Sequence, residues 1–173
     1  TNLTVELGLQ SSSDETAARI RRGHTWADFL EGYRRLRAAS DRISVCVHLI
    51  FGLPGEEDAR MLQSVRDVAA LRPEQVKLHL LHVLRGTDLE GLWRAGEYQP
   101  LDEARYIRLL ADALELLPPE TVIGRLTGDG AREELLAPLW TLRKTAVIND
   151  LDKLMYRENR WQGRRCQAER ERS

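Results

Sequence analysis

Polar and apolar residues alternate along three segments of the chain, in the pattern of β-strands that have one polar face. The three segments are residues 5–10, 44–50 and 76–81. One face carries the polar or small positions, which are Glu6, Gly8, Gln10, Ser44, Cys46, His48, Lys77 and His79. The opposite face is apolar throughout, with Val5, Leu7, Leu9, Val45, Val47, Leu49, Val76, Leu78 and Leu80. The pattern predicts a sheet that helices cover on one face and that carries functional side chains on the other.

The connections between these strands favour a parallel sheet. An antiparallel sheet with one solvated face would give the same alternation. However, about thirty residues with two helix signals separate the first two strands, and one long helical segment separates the second from the third. Such lengths are typical of β-α-β crossovers. We therefore predict an α/β fold in which the polar face lines the lumen of the C-terminal part of a partial TIM barrel.

The remaining segments predict the outer helices and a C-terminal helical extension. Ser12 and Glu15 have the spacing of a capping box and would open a helix that ends at Arg22. Thr25 and Asp28 would open a second helix in the same way. Further helices are predicted at residues 58–71, 89–94, 103–117, 133–139 and 141–156, and a fourth strand at 121–126.

Length and composition narrow the class of protein. The 173 residues can bury one core but fall short of the roughly 250 residues of a closed eight-unit barrel. Lys and Arg (26) nearly balance Asp and Glu (27), so no global field indicates nucleic acid or a membrane. No apolar run approaches a membrane span, and the N-terminus does not resemble a signal peptide. With only Cys46 and Cys166 there is no disulfide framework, and we expect a cytoplasmic protein.

Candidate binding residues lie where the strands end. Gln10 and His48 are at the C-terminal ends of neighbouring strands, the end at which barrel enzymes place their chemistry. Arg22 follows the first helix and could return over the same rim, where its guanidinium would suit a carboxylate. A solvated arginine at a helix end is an equally good interpretation of Arg22 from sequence alone.

Two further motifs are weaker. The turn at residues 52–56, Gly-Leu-Pro-Gly-Glu, lacks the Lys-Ser/Thr pair of a phosphate loop, but it would let a flat ring approach the backbone of Ile50. His79 and His82 point to opposite faces if the strand extends through both, so zinc ligation by this pair is disfavoured and we expect no metal ligands. Cys46 lies mid-strand and is interpreted as a small buried hydrophobic residue.

Four motifs together resemble a known family. They are Glu-Leu-Gly-Leu-Gln-Ser at 6–11, Arg-Gly-His-Thr at 22–25, His-Leu-Ile-Phe-Gly-Leu-Pro-Gly-Glu at 48–56 and Lys-Leu-His-Leu-Leu-His-Val-Leu-Arg-Gly-Thr at 77–87. In this order and spacing they resemble the C-terminal half of a radical S-adenosylmethionine enzyme, most closely the YhcC-type family often labelled Fe-S oxidoreductase. The segment from residue 85 to residue 120 also resembles the C-terminal extension of the radical domain in the Elongator catalytic subunit.

This resemblance implies a partial (β/α)₆ barrel that binds S-adenosylmethionine beside a [4Fe-4S] cluster and generates a 5′-deoxyadenosyl radical for hydrogen abstraction. By similarity to oxygen-independent coproporphyrinogen oxidases, Gln10 would hydrogen-bond the ribose and Arg22 would pair with the methionine carboxylate. His48 stands where those enzymes have an acidic ligand to the adenosyl group, and Ile50 would offer its backbone to the adenine. The candidates for the substrate end are His79, His82 and Arg85.

The cluster motif Cys-x₃-Cys-x₂-Cys is absent from the sequence, so we expect a fragment of such an enzyme that carries no cofactor and is inactive by itself. The resemblance implies barrel residues at 1–84, the extension at 85–156, and an Arg-rich tail at 157–173 that we expect to be disordered.

Two other function classes stay open at this point. The first is a non-catalytic interaction module, associated with RNA through the tail. The second is a small metal-dependent hydrolase that uses His48 and His79. For partners, we expect an unknown substrate, with RNA as a candidate, no membrane, and self-association of the fragment through its first strand or the opened lumen.

Overall fold

The computed structural model describes residues 3–128 and 132–166. In chain order its elements are β1 (Leu3–Gln10), α1 (Asp14–Arg19), α2 (Trp26–Ala39), β2 (Ile43–Phe51), α3 (Asp58–Leu71), β3 (Gln75–Leu80), β4 (Val83–Leu84), α4 (Asp88–Arg94), α5 (Glu103–Leu116), β5 (Val122–Arg125), β6 (Leu135–Ala137), a 3₁₀ turn (Leu139–Leu142) and α6 (Lys144–Arg157). Among the described helices, none has both the length and the apolar character needed to cross a membrane.

The main sheet is parallel and has the strand order β1-β2-β3-β5. This confirms the predicted α/β class and the parallel connection of the first three strands. The register places Glu6 opposite Cys46, and His48 opposite Gly8 on one side and Lys77 on the other. The polar positions of three neighbouring strands therefore form one continuous patch.

The opposite face of the sheet holds the main core, as predicted. Val45, Val47, Leu49, Val76 and Leu78 have no exposed surface and pack with apolar residues of α2, α3 and α5. Covering the sheet in this way removes apolar surface from water on one side only. The polar patch is left as the face on which a ligand could bind.

Of the two predicted capping boxes, the structure contains one. The capping box of Thr25 and Asp28 at the start of α2 is confirmed. In contrast, α1 is capped by Ser13, whose side chain accepts from the backbone of Thr16, and not by Ser12. The hydroxyl of Ser12 does not cap the helix but donates to Asp67 Oδ2 at 2.5 Å. The helix also ends earlier than predicted, at Arg19.

The predicted helix at 133–139 is wrong. Residues 135–137 instead form β6, which pairs antiparallel with β4. Leu135 and Ala137 are both buried, the alternation expected of a strand, and Ala137 joins a small second core with Val83 and Tyr98. Pro138 would in any case have ended such a helix at or before Ala137. Pairing with β4 outweighs the helix propensity of this Glu-Leu segment.

The segment after α6 differs from the expected disordered tail as far as the structure describes it. Arg160 lies between Asp112 and Glu115 of α5, with its side chain only 10% exposed. Gln162 Nε2 donates to the carbonyl oxygens of Pro118 and Thr121 at 2.7 and 2.8 Å. Residues 158–166 therefore dock against α5. The rest of the predicted tail, residues 167–173, lies outside the described residues.

Candidate functional site

The centre of the polar patch is a carboxylate shared by two neighbours. Glu6 Oε1 accepts a hydrogen bond from Lys77 Nζ at 2.6 Å, and Glu6 Oε2 lies 2.9 Å from His48 Nε2. These contacts join β1, β2 and β3, and they confirm that the three side chains share a face. The hydrogen bond from Lys77 lowers the pKa of Glu6 below its ordinary value, so the carboxylate is ionised at neutral pH.

Two imidazoles are stacked beside this carboxylate. The rings of His48 and His79 have centroids 5.3 Å apart and planes 24° from parallel. Burial, together with the charges of neighbouring groups, lowers the pKa of His79 to about 4. Burial also lowers the pKa values of His48 and His82. All three rings are therefore neutral at pH 7, and each has one nitrogen that can accept a hydrogen bond.

The site contains polar atoms that nothing in the described structure satisfies. Four buried side-chain atoms lack a hydrogen-bond partner among the described residues: Gln10 Oε1, Arg22 Nε, His79 Nε2 and His82 Nε2. All four belong to residues that the sequence singled out. Buried polar groups are almost always hydrogen-bonded in folded proteins, because leaving one unpaired costs about 1 to 3 kcal/mol. Such a concentration indicates a site shaped for a polar ligand.

Gln10 and Arg22 meet at the end of β1. Gln10 has a left-handed backbone (φ 67°), and the register of β1 against β2 shifts between Gly8 and Gln10. Arg22 Nη2 donates to the carbonyl oxygen of Gly8. A Cβ at Gly8 would lie 2.6 Å from Gln10 Nε2, so only glycine leaves room for the two side chains in this arrangement. The prediction that Arg22 returns over the rim beside Gln10 matches this placement.

Ile50 lies next to an apolar cavity of about 470 Å³ at the end of β2. Other apolar residues in its wall are Ile20, Leu53, Leu81, Leu89 and Leu92. Ile50 is opposite His79 in the parallel register, which places the cavity beside the two stacked rings. The cavity and the polar patch are thus adjacent, a combination typical of small-molecule sites.

Arg85, which was predicted to contact the substrate, does not lie with the other predicted site residues. Its side chain is exposed, and its backbone N–H donates to the carbonyl oxygen of Glu134 at the edge of the small β4-β6 sheet. No hydrogen bond or ion pair described for Arg85 reaches the lumen histidines. Its role at the substrate end remains a prediction.

Sequence reasoning missed a buried hydroxyl cluster behind Gln10. Ser11 Oγ donates to Glu56 Oε1 at 2.5 Å, and Ser64 Oγ accepts from the backbone N–H of Ser12 at 3.0 Å. Ser64 is 2% exposed on α3, where its neighbours on the same face, Met61 and Val65, are apolar. A serine on an otherwise apolar helix face was the signal available in the sequence. The cluster ties the residue after Gln10 to the turn after β2.

Comparison with known protein families identifies the fold. The model of the radical SAM superfamily matches residues 2–68, and that of the radical SAM C-terminal domain matches residues 73–157. The chain belongs to the radical SAM superfamily. Within it, this chain is a partial radical SAM domain followed by the C-terminal domain, as the four motifs predicted. The division into units at residue 84 stays a prediction.

Several relatives are similar to this chain over most of its length. YtqA of Bacillus subtilis is 37% identical over 164 residues, which are 95% of this chain and 50% of YtqA. YhcC of Escherichia coli is 35% identical over 152 residues, 87% of this chain and 48% of YhcC. The tRNA uridine(34) acetyltransferase of Methanocaldococcus jannaschii is 28% identical over 167 residues, 95% of this chain and 29% of that protein. The chain spans about half the length of the first two relatives.

A solved structure has the same fold. The archaeal Elp3 of Methanocaldococcus infernus with an N-terminal deletion superposes with a TM-score of 0.79 and 22% sequence identity. The match covers 92% of this chain and 37% of that one. At this identity the likeness shows the fold alone.

Proposed function

We propose that this chain is the part of a radical SAM enzyme that binds S-adenosylmethionine through Gln10, Arg22, His48 and Ile50. The observation that carries the proposal is the pair of unpartnered buried atoms on Gln10 and Arg22, in a chain of the radical SAM superfamily. S-adenosylmethionine has a carboxylate, a ribose and an adenine, which require a cation, hydrogen-bonding side chains and an apolar or backbone contact. The site offers each of these.

Arg22 would bind the methionine carboxylate. Its Nη2 is already engaged with Gly8, while its Nε is buried without a described partner. A guanidinium held by one bond and open along another edge suits a planar carboxylate. Gln10 Oε1 would accept from a ribose hydroxyl, and the cavity beside Ile50 would take the adenine.

The residues of this chain do not fit a [4Fe-4S] cluster. Such a cluster needs three thiolates close together, and the sequence has only Cys46 and Cys166. Cys46 is fully buried in β2, and burial raises the pKa of its thiol to about 11. The cluster ligands would have to come from outside this sequence, so we assign none of the cluster chemistry to residues of this chain.

In an enzyme that also holds the cluster, S-adenosylmethionine supplies a 5′-deoxyadenosyl radical for hydrogen abstraction. The residues of this chain would bind and orient that cofactor, and His79 and His82 would face the substrate with neutral rings. Arg85 is retained as a weaker substrate contact. We propose RNA as the substrate class, because relatives that are 28% identical over 95% of the chain are named tRNA uridine(34) acetyltransferases. The non-catalytic RNA module is less well supported, because Arg160, Arg164 and Arg165 of the tail pair with acidic residues of α5.

Equilibrium dialysis of S-adenosylmethionine against the chain tests the cofactor site. Arg22→Ala should weaken binding by about 1.5 to 3 kcal/mol, the range for a hydrogen bond to a charged group. Arg22→Lys should restore it only partly, because an ammonium cannot match the planar carboxylate. Arg35→Ala is the matched control, since the Arg35 side chain is 79% exposed and pairs with Glu31 on α2, away from the cavity. Equal affinity in wild type and Arg22→Ala, or no measurable binding by the wild type, would contradict the proposal.

A further inference from the structure

Three side chains with different metal-ligating atoms meet in the middle of the polar patch. Glu6, Cys46 and His48 each offer one such atom, and these atoms all lie within 4.8 Å of one another. The parallel register explains why they converge. Glu6 lies directly opposite Cys46, and His48 is two residues further along the same face of β2. Backbone pairing of β1 with β2 thus holds the three positions together.

We propose that Glu6, Cys46 and His48 bind one divalent cation of the zinc class. A thiolate, an imidazole and a carboxylate form a donor set that zinc accepts and that magnesium and calcium do not. The ligand atoms of a tetrahedral zinc site are about 3.5 Å apart, so the cluster needs only side-chain adjustment. The metal site shares His48 with the proposed cofactor site, whereas Gln10 and Arg22 lie further along the lumen and belong to the cofactor site alone.

The surrounding groups fit such a site. His48 Nε2 already lies 2.9 Å from Glu6 Oε2, and the stacked ring of His79 has a buried Nε2 without a hydrogen-bond partner among the described residues. Glu6, Cys46 and His48 would leave a fourth position open, which water or substrate fills in many catalytic zinc sites. The Glu6 side chain is half exposed, which gives an ion a path from solvent to the buried thiol.

The ammonium group of Lys77 would compete with the cation for the Glu6 carboxylate. Its Nζ lies 2.6 Å from Glu6 Oε1 and neutralises the carboxylate in the metal-free protein. A bound cation would take over this role and release the lysine, so replacing Lys77 by a neutral residue should strengthen metal binding. Cys46 must also lose its proton, so binding should release protons and tighten as the pH rises.

Titration of Co²⁺ into the full chain under reducing conditions tests the proposal. A Cys166→Ser background leaves Cys46 as the only thiol, so a thiolate-to-cobalt absorption band at one equivalent reports this site. Cys46→Ala should abolish the band. Glu6→Gln and His48→Gln should each weaken binding by about tenfold or more, whereas Lys77→Met should tighten it. His24→Gln, which removes a histidine outside the cluster, should leave the titration unchanged.

The outcomes separate the metal site from the cofactor site. Arg22→Ala, which should lose affinity for S-adenosylmethionine, should bind cobalt as the wild type does. The far-ultraviolet circular dichroism of every variant establishes that it is folded before its titration is interpreted. Absence of a stoichiometric band in the wild-type chain, or equal cobalt affinity in folded Glu6→Gln and wild type, would overturn the proposal.

Discussion

Arg22 donates a hydrogen bond to the carbonyl oxygen of Gly8, fourteen residues earlier in the chain, and so folds the loop after α1 back onto β1. The contact depends on the absence of a side chain at Gly8. A Cβ there would lie 3.1 Å from Arg22 Nη2 as well as 2.6 Å from Gln10 Nε2. The glycine therefore keeps both proposed cofactor contacts in place.

Gly8→Ala should lower affinity for S-adenosylmethionine more than it lowers stability. The clashing atoms are the ends of flexible side chains, so the chain can relieve the contact by moving Gln10 and Arg22, and unfolding should become easier by no more than about 1 kcal/mol. Cofactor affinity should fall by about tenfold, since two contacts are displaced. Equilibrium dialysis and urea unfolding measure the two quantities.

Gly32→Ala is the control for this substitution. Gly32 lies in α2, and a Cβ there would have no neighbour within 4 Å. Alanine should raise the free energy of unfolding by about 0.5 to 1 kcal/mol and leave cofactor binding unchanged. A Gly8→Ala chain with wild-type cofactor affinity would show that the crowding around Gly8 has no bearing on the site.

The stability of the chain should depend on pH through His79. Because its folded pKa is about 4 and its ordinary value is 6.5, the unfolded chain binds a proton between these pH values that the folded chain does not. Stability attributable to this group should therefore fall as the pH is lowered from 6.5 to about 4, by about 1 to 3 kcal/mol for a half-buried ring. It should not change above pH 7.

His79→Gln should flatten this part of the profile. Urea unfolding at pH 7 and pH 4.5 gives the difference for wild type and variant, and the carboxylates common to both cancel in the comparison. His24→Gln, outside the lumen, should keep the wild-type slope. An unchanged slope in His79→Gln would mean that the ring is not buried as the structure has it.

The sequence predicted the two faces of the sheet because alternation is a local property of a strand. It could not predict the bulge that turns Gln10, since that shift depends on the register of β1 against β2. The helix expected at 133–139 was wrong for a similar reason: β4 is two residues long and about fifty residues away in sequence, and no local pattern reveals the pairing. Glu6 was placed on the polar face, but its contacts with His48 and Lys77 required the strand order.

The docked C-terminal segment should contribute to stability through Arg160. Its guanidinium is paired with Asp112 and Glu115, and the Glu115 side chain is only 3% exposed. Arg160→Ala removes one of three arginines that pair with the buried Glu115 and leaves Arg164 and Arg165, so it should lower the free energy of unfolding by about 1 to 2 kcal/mol. Arg157→Ala is the matched control, because the Arg157 side chain is 73% exposed. Equal urea midpoints for the two variants would argue against docking of the segment.

The last prediction concerns β1, which is at one edge of the four-stranded sheet. Within the described residues, only β2 pairs with it, so the backbone groups on its other side have no strand partner there. Leu3 is 57% exposed on this strand, and the segment from Leu3 to Leu9 has no proline or lysine that would discourage pairing with another chain. We therefore expect the isolated chain to self-associate, with β1 of one copy against β1 of another or with the open lumen covered.

Leu3→Lys should shift the chain towards monomer at tens of micromolar, as measured by light scattering, because a charge at an exposed edge opposes strand pairing. Val122→Lys is the matched control, since Val122 is 58% exposed on β5 at the opposite edge of the same sheet. Hydrogen exchange should show the amides of residues 3–9 protected in wild type and exchanging faster in Leu3→Lys. A wild-type chain that is strictly monomeric would refute the association. Dissociation by Val122→Lys and not by Leu3→Lys would move the interface to β5, where the sheet has its other free edge within the described residues.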